Sequence, residues 1–306
     1  MSDILCFGEA MVEFNQANAD GSFVLGFGGD TSNVAIAVAR SGAQAGYITA
    51  VGADMFGDRL LDLWARENVD TRGVLRREDA PTGVYFVTHG PQGHQFSYLR
   101  KGSAASLMQP ADLPRGLIEG AKFLHVSAIS QAISQTAAET VLAAIGMARK
   151  AGVSVCYDTN LRLKLWPLEK ARGVIHEAMR LAQIARPSLE DARLLTGLEA
   201  PDAIADFYLK LGADIVALTM GGDGVLLATP QKRERFQPLA VDFVDATGAG
   251  DTFSGAFLAR LSQGDDAFAA AGYANAAAAL STTRHGAVAG IPTAAEVARL
   301  FPVSGN

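Results

Sequence analysis

The spacing of apolar residues changes about a third of the way along this 306-residue chain, and the change predicts two kinds of structure. From about Gly120 onward, short β-branched runs at Phe123–Ser127, Val153–Asp158, Ile184–Arg186 and Ile215–Thr219 alternate with stretches of helical periodicity. Helices are predicted near Gln135–Ala151 and Leu168–Ala182, after Pro187, and near Asp202–Leu211. Apolar strands separated by helices are the pattern of a parallel sheet covered on both faces, so a doubly wound α/β architecture is predicted.

The first third reads differently. Ile4–Gly8, Ser22–Phe27, Gly83–His89 and Gln95–Leu99 predict strands, the last two forming a hairpin across a Gly/Pro/Gln turn at 90–93. Helices are predicted at about Thr31–Ser41 and about Phe56–Glu67, where Phe56, Leu60, Leu63 and Trp64 share one buried face. This order fits one α/β domain over residues 1–306, with a small antiparallel sheet inserted twice, from about 11–27 and 83–101. That sheet would serve as a lid or as a surface for a second copy of the chain.

Composition narrows the possible partners. With 49% hydrophobic and 19% charged residues the chain should fold. The 26 Lys and Arg against 32 Asp and Glu give a net charge of −6, which argues against a general nucleic-acid binder and requires any anionic ligand to be held locally. Cys6 and Cys156 are too few for a disulfide framework and lack zinc-site spacing, so they are expected as apolar fillers in strands, in a reducing cytoplasm. The start does not read as a signal peptide. No apolar run approaches the roughly 18 residues of a membrane span; even Ala274–Leu280 is short and broken by Asn275.

Three glycine clusters invite phosphate-binding readings. None completes G-x-G-x-x-G, because Thr31, Leu227 and Phe253 stand at the third glycine, and no lysine follows a glycine as a P-loop requires. Gly248-Ala249-Gly250 lies between the strand-like run Leu239–Phe243 and a helical stretch at Ala256–Leu261. Backbone N–H groups at such a junction favour an anion. Asp251 then has two readings, a helix N-cap or a carboxylate that takes a proton from an alcohol attacking phosphorus. Asp30 after Gly28-Gly29 is likewise an N-cap or an acceptor for hydroxyl protons, beside glycines that permit close approach.

Together, DATGAGDTF at Asp245–Phe253, GGDTSN at Gly28–Asn33, VGADMFG at Val51–Gly57 and TMGGDG at Thr219–Gly224 resemble the signatures of the ribokinase (PfkB) family of carbohydrate kinases, in order from about Ile4 to Pro292. The resemblance implies a ribokinase-like fold and phosphoryl transfer from ATP with Mg²⁺. It makes Gly248, Ala249 and Gly250 the anion hole and Asp251 the base, at the ordinary aspartate pKa of about 3.9. Gly28, Gly29 and Asp30 would meet the sugar, Thr219, Gly221, Gly222 and Gly224 the ribose and phosphates, and Asn275 the region of the ATP base. Asn275 also reads as a helix residue bonding to a neighbouring loop. Asp245 and Thr247 match part of a site for a monovalent cation such as potassium.

The family's N-x-x-E motif becomes Ser188-Leu189-Glu190-Asp191 here, departing at both ends. Glu190 or Asp191 would reach Mg²⁺ through water, or the two acids simply suit the first turn of a helix. Phe96–Ala105 and Asp158–Arg162, followed by Leu165-Trp166, resemble 2-keto-3-deoxygluconate kinases, in which the residues matching Tyr85, Tyr98, Arg100 and Arg162 hold the sugar acid. A guanidinium fork suits a carboxylate better than a neutral hexose. The other reading of Arg100 is an exposed arginine at a strand end. The expected activity is phosphorylation of the terminal hydroxyl of a sugar acid by a homo-oligomer joined through the lid sheet. A ketose kinase such as fructokinase is the nearest alternative; a binding protein that has lost transfer is more distant, because the Gly-Ala-Gly-Asp run is intact.

Overall fold

Residues 2–18, 21–90 and 93–301 are described by a computed structural model. In chain order the strands are β1 (Ile4–Phe7), β2 (Met11–Gln16), β3 (Phe23–Gly28), β4 (Ala45–Gly52), β5 (Asp70–Arg77), β6 (Val84–Gly90), β7 (Gly93–Leu99), β8 (Phe123–Ser127), β9 (Ser154–Asp158), β10 (Ile184–Arg186), β11 (Ile215–Thr219), β12 (Val225–Ala228) and β13 (Arg233–Phe236). The helices are α1 (Asp30–Arg40), α2 (Met55–Arg66), α3 (Arg115–Glu119), α4 (Ala128–Ala132), α5 (Gln135–Lys150), α6 (Leu168–Met179), α7 (Leu189–Thr196), α8 (Pro201–Leu211), α9 (Ala249–Ser262), α10 (Ala267–Ser281), α11 (Ala287–Gly290) and α12 (Ala294–Leu300).

The main sheet has the order β13-β12-β11-β10-β9-β8-β1-β4-β5. It is parallel from β11 to β5, with β12 and β13 added antiparallel at one edge. Successive side chains of a strand point to opposite faces, so each parallel strand feeds two cores. Ile4 and Cys6 of β1, with Cys156 of β9, pack with Ile36, Phe253 and Phe257 of α1 and α9; Leu5, Phe7, Val155 and Tyr157 pack with Ile145, Ile175 and Tyr208 of α5, α6 and α8. Both cysteines are buried and free, as apolar fillers.

From β1 the chain goes out to β4, whereas from β8 it winds the other way to β9, β10 and β11. The reversal leaves a crevice at the carboxyl ends of the strands, where open α/β sheets bind ligands. Ser127, Asp158, Arg186 and Thr219 are the last residues of four adjacent strands at that edge.

The second sheet, β3-β2-β6-β7, comes from the two expected stretches but is not wholly antiparallel. Two hairpins, β2–β3 and β6–β7, meet through a parallel β2–β6 pair, Val12 opposite Val84 and Phe14 opposite Phe86. Parallel pairing requires a long crossover, which α1, β4, α2 and β5 supply. The strand-like run Leu239–Phe243 is not a strand: Phe243 is exposed, and β13 already closes that edge of the sheet.

Candidate active site

Helix α9 begins at Ala249, after Gly248 with φ 78°, a left-handed conformation that favours glycine. A Cβ there would also press within 3.0 Å of Ala287. The Ala249 amide turns back onto the carbonyl of Ala246 at 3.1 Å, and the Thr252 amide onto Gly248 at 2.8 Å. The amides of Gly248, Gly250 and Asp251 donate to no carbonyl among the described residues. They remain available to an anion at the positive end of the helix.

Asp251 is the third residue of α9, and Gly248, not Asp251, is the N-cap. Its Oδ2 accepts a 2.8 Å hydrogen bond from Nδ2 of Asn33 in α1. Burial, with Asp30 and Asp158 nearby, pushes its pKa up to about 7 against the opposing bond from Asn33 and the charge of Arg186. The ordinary aspartate value expected from sequence is therefore replaced by that of a much stronger base.

Asp30 opens α1 just after its N-cap, Gly29, so it is not the cap itself. Its Oδ1 accepts from the Thr31 amide at 2.8 Å, and its Oδ2 from Nδ2 of Asn160 at 2.8 Å. Gly28 and Gly29 are demanded by packing within the chain: a Cβ on Gly28 would collide with the Tyr85 hydroxyl, and Gly29, with φ 121°, lies against the carbonyl of Glu9.

Arg186 is a residue that sequence reasoning passed over as a strand end. It is buried at the end of β10, with Nε donating to Ser254 Oγ at 2.8 Å and Nη2 to Asp158 at 3.3 Å and the Gly250 carbonyl at 3.2 Å. Its guanidinium lies 5.0 Å from the centre of the Phe253 ring, and its Nη1 is buried without a partner. The available signal was a charge ending the apolar run Ile184-Ala185. His125 of β8, in register with Cys6 and Cys156, was also missed. Burial holds its pKa down to about 4, with Arg186 acting the same way and Asp30 opposing, so it is neutral at pH 7.

The lid supplies Tyr85 and Tyr98, directly opposite each other on β6 and β7, with rings stacked at 5.7 Å. The Tyr85 hydroxyl donates to Glu13, and burial together with that carboxylate raises its pKa. Arg100, just after β7, is not an exposed strand end: its Nη2 donates to Glu9, whose other oxygen accepts from Ser103 Oγ at 2.8 Å. Burial pushes the Glu9 pKa up, and Arg100 and Ser103 oppose it. Neither glutamate was singled out from sequence, since each looks like an ordinary acid in or near a short strand.

Arg162 is exposed, and its Nη1 donates to the carbonyl of Leu161 at 2.9 Å. The loop that carries it is fastened by Asp191, whose Oδ2 accepts from Thr159 Oγ1 at 3.1 Å and the Leu161 amide at 3.0 Å. Ser188 caps α7 through the Asp191 amide at 3.1 Å, and Glu190 is exposed. Burial raises the Asp191 pKa against the bond from Leu161.

The remaining expected residues lie further along the crevice. Thr219 is two strands from Asp158, about 10 Å at ordinary strand spacing. Gly221 and Gly222 form a single tight turn that Gly224 ends. Asn275 of α10 donates to the Gln237 carbonyl at 2.8 Å, the helix-to-loop bond that was its second reading, and it makes no hydrogen bond to the Asp251 network. Asp245 grips Thr247 through its amide at 2.9 Å and Oγ1 at 2.7 Å, and also the Gly286 amide at 2.9 Å. Burial would raise the Asp245 pKa, but these bonds outweigh it and hold the carboxyl below its ordinary value.

The structure thus gathers Asp30, Asp158 and Asp251 with Arg186 around the start of α9, and Gly28, at the end of lid strand β3, meets Tyr85 of β6. A carboxylate near pH 7 beside free helix-terminal amides can deprotonate a hydroxyl facing a phosphoryl group. Known proteins resemble this chain over nearly its whole length. The profile of the pfkB family carbohydrate kinases matches residues 1–294. A 2-dehydro-3-deoxygluconokinase of Bacillus subtilis is 34% identical over 97% of this chain and 94% of its own, and a probable fructokinase-4 of Arabidopsis thaliana is 34% identical over 97% and 96%. The crystal structure of a putative ribokinase II from E. coli in complex with ATP and Mg²⁺ superposes with a TM-score of 0.91 at 26% identity, covering 99% of both chains. The chain belongs to the PfkB family of carbohydrate kinases and has the ribokinase-like fold. It is a sugar kinase. Among the described residues no helix is long and apolar enough to cross a membrane.

Proposed function

We propose that this kinase transfers a phosphoryl group from ATP to the terminal hydroxyl of 2-keto-3-deoxygluconate. The observation that carries the choice of a sugar acid is Arg162: an exposed guanidinium with no ion pair among the described residues, two residues from the Asn160 that bonds Asp30. An anionic acceptor neutralises that charge; a neutral sugar does not. Asp251 takes the hydroxyl proton while the amides of Gly248, Gly250 and Asp251 stabilise charge on the phosphoryl oxygens. Tyr85 and Tyr98 wall the sugar, and Thr219 with Gly221, Gly222 and Gly224 flanks the nucleotide.

Magnesium supplies charge neutralisation on the phosphates when bound. Exposed Glu190 and the Asp191 carboxylate fit an ion that keeps several waters, because one Asp191 oxygen is committed to the loop and the other is not. Asp245, kept ionised by its bonds, and Thr247 are assigned to a potassium ion.

A ketohexose is the second reading, supported by a fructokinase relative as similar as the gluconokinase. Coupled ADP release over sugar acids and ketohexoses tests the choice. The sugar acid 2-keto-3-deoxygluconate is expected to show a kcat/KM at least tenfold above that of fructose; the reverse order sinks the sugar-acid reading.

A further inference from the structure

Arg100 and Arg162, the two arginines that the family resemblance assigns to the sugar acid, are not electrically equivalent. Arg100 has an 11% exposed side chain and is paired with Glu9, whose side chain is 1% exposed. Glu9 spends its second oxygen on Ser103, at 2.8 Å, and its backbone carbonyl lies against Gly29, next to Asp30. The Arg100 guanidinium lies 5.6 Å from the centre of the Tyr98 ring, and its Nε is buried without a partner. Arg162 is exposed and makes no ion pair among the described residues, and its charge reaches the Asp158 and Asp191 carboxylates only through space.

A buried ion pair is close to neutral at a distance. A substrate carboxylate drawn to Arg100 would also meet the like charge of Glu9, so attraction and repulsion largely cancel. The Arg100 N–H groups still donate hydrogen bonds, which an uncharged keto or hydroxyl oxygen can accept. Arg162, in no ion pair among the described residues, keeps more of its charge available to an anion.

We propose that Glu9 is a specificity-determining residue: by neutralising Arg100 it makes that side chain a donor to uncharged substrate oxygens and leaves recognition of the carboxylate to Arg162. The division rests on the sugar-acid reading above. It separates two side chains that a sequence comparison treats as one clamp.

The test is a set of four variants, Arg162→Met, Arg100→Met, Glu9→Gln and Glu9→Gln/Arg100→Met. For each, the Michaelis constant is measured with the sugar acid 2-keto-3-deoxygluconate and with fructose, or the inhibition constant of fructose where its turnover is slow. Arg162→Met should weaken the acid at least tenfold more than fructose. The double variant, which leaves no lone buried charge, should weaken both by similar factors. Glu9→Gln, whose amide oxygen can accept from Arg100 while its NH2 donates to Ser103 Oγ, carries no charge and should tighten the acid about fivefold and leave fructose nearly unchanged. Thermal unfolding identifies a variant that has lost its fold, and the double variant then stands in for Arg100→Met. Loss of acid preference in the double variant, or equal weakening of both sugars by Glu9→Gln, overturns the proposal. If the unmodified protein phosphorylates fructose and no sugar acid, it is the underlying reading that has failed, and the proposal falls with it.

Discussion

Asp251 gathers its properties from burial and from three segments of the chain: Asn33 holds one oxygen, Asp30 and Asp158 crowd it with negative charge, and Arg186 partly offsets them. With its pKa near 7, the carboxyl is protonated and idle below that pH, and it becomes a base as the pH rises through it. We therefore expect kcat/KM to rise with pH through about 7. Asp251→Asn should lower kcat by about 10³-fold while ATP binding, measured by titration calorimetry, changes little. A flat profile between pH 5 and 9, or near-normal turnover of the variant, would remove Asp251 from the role of base. The residue itself was legible in the Gly-Ala-Gly-Asp run. Its basicity was not, because the burial that chiefly raises its pKa is set by the tertiary fold, and the charges that add to it sit more than 90 positions away.

Helix α9 is placed by its crossing with α1. A Cβ on Gly255 would come within 2.6 Å of the Val34 carbonyl and 2.5 Å of the Ala37 methyl, so the two helices approach as closely as backbones permit. Gly255→Ala should push α9 outward and stretch the Asn33–Asp251 bond one turn away. The expected outcome is a loss of about 1–3 kcal/mol in unfolding free energy, as for other overpacked sites, and a kcat lowered more than KM is raised. Unchanged kcat with unchanged stability would show that the crossing is not tight. Elements were legible where periodicity was strong: Phe123–Ser127, Ile184–Arg186 and Ile215–Thr219 are strands with the boundaries expected. Leu239–Phe243 is equally apolar yet has no strand beside it, and a β pattern alone cannot supply a hydrogen-bonding neighbour. The lid's parallel centre was hidden for a similar reason, since pairing between Val12 and Val84 depends on how the intervening crossover folds.

For the whole molecule the question left by the lid is how far its exposed apolar face extends beyond the proposed sugar site. The sheet face that carries Tyr85 also exposes Val24, Phe96 and Tyr98, the first at 61%. We expect this sheet to join two copies of the chain. Sedimentation velocity at micromolar concentration should show a dimer, and Val24→Lys should shift it toward monomer; a monomeric unmodified protein would contradict the expectation.

Local sequence was enough to establish the alternation that makes a parallel two-faced sheet, the glycines and aspartate at the start of α9, and the family to which the chain belongs. These patterns are readable because propensity and spacing act over a few residues. Which charges meet was settled only by the tertiary fold. It placed Arg186 between Asp158 and Gly250, gave Arg100 to Glu9 while leaving Arg162 without an ion pair among the described residues, and turned Asn275 toward Gln237. Electrostatic interactions depend on distance and burial, and neither is set until the strands are ordered and the two sheets are packed.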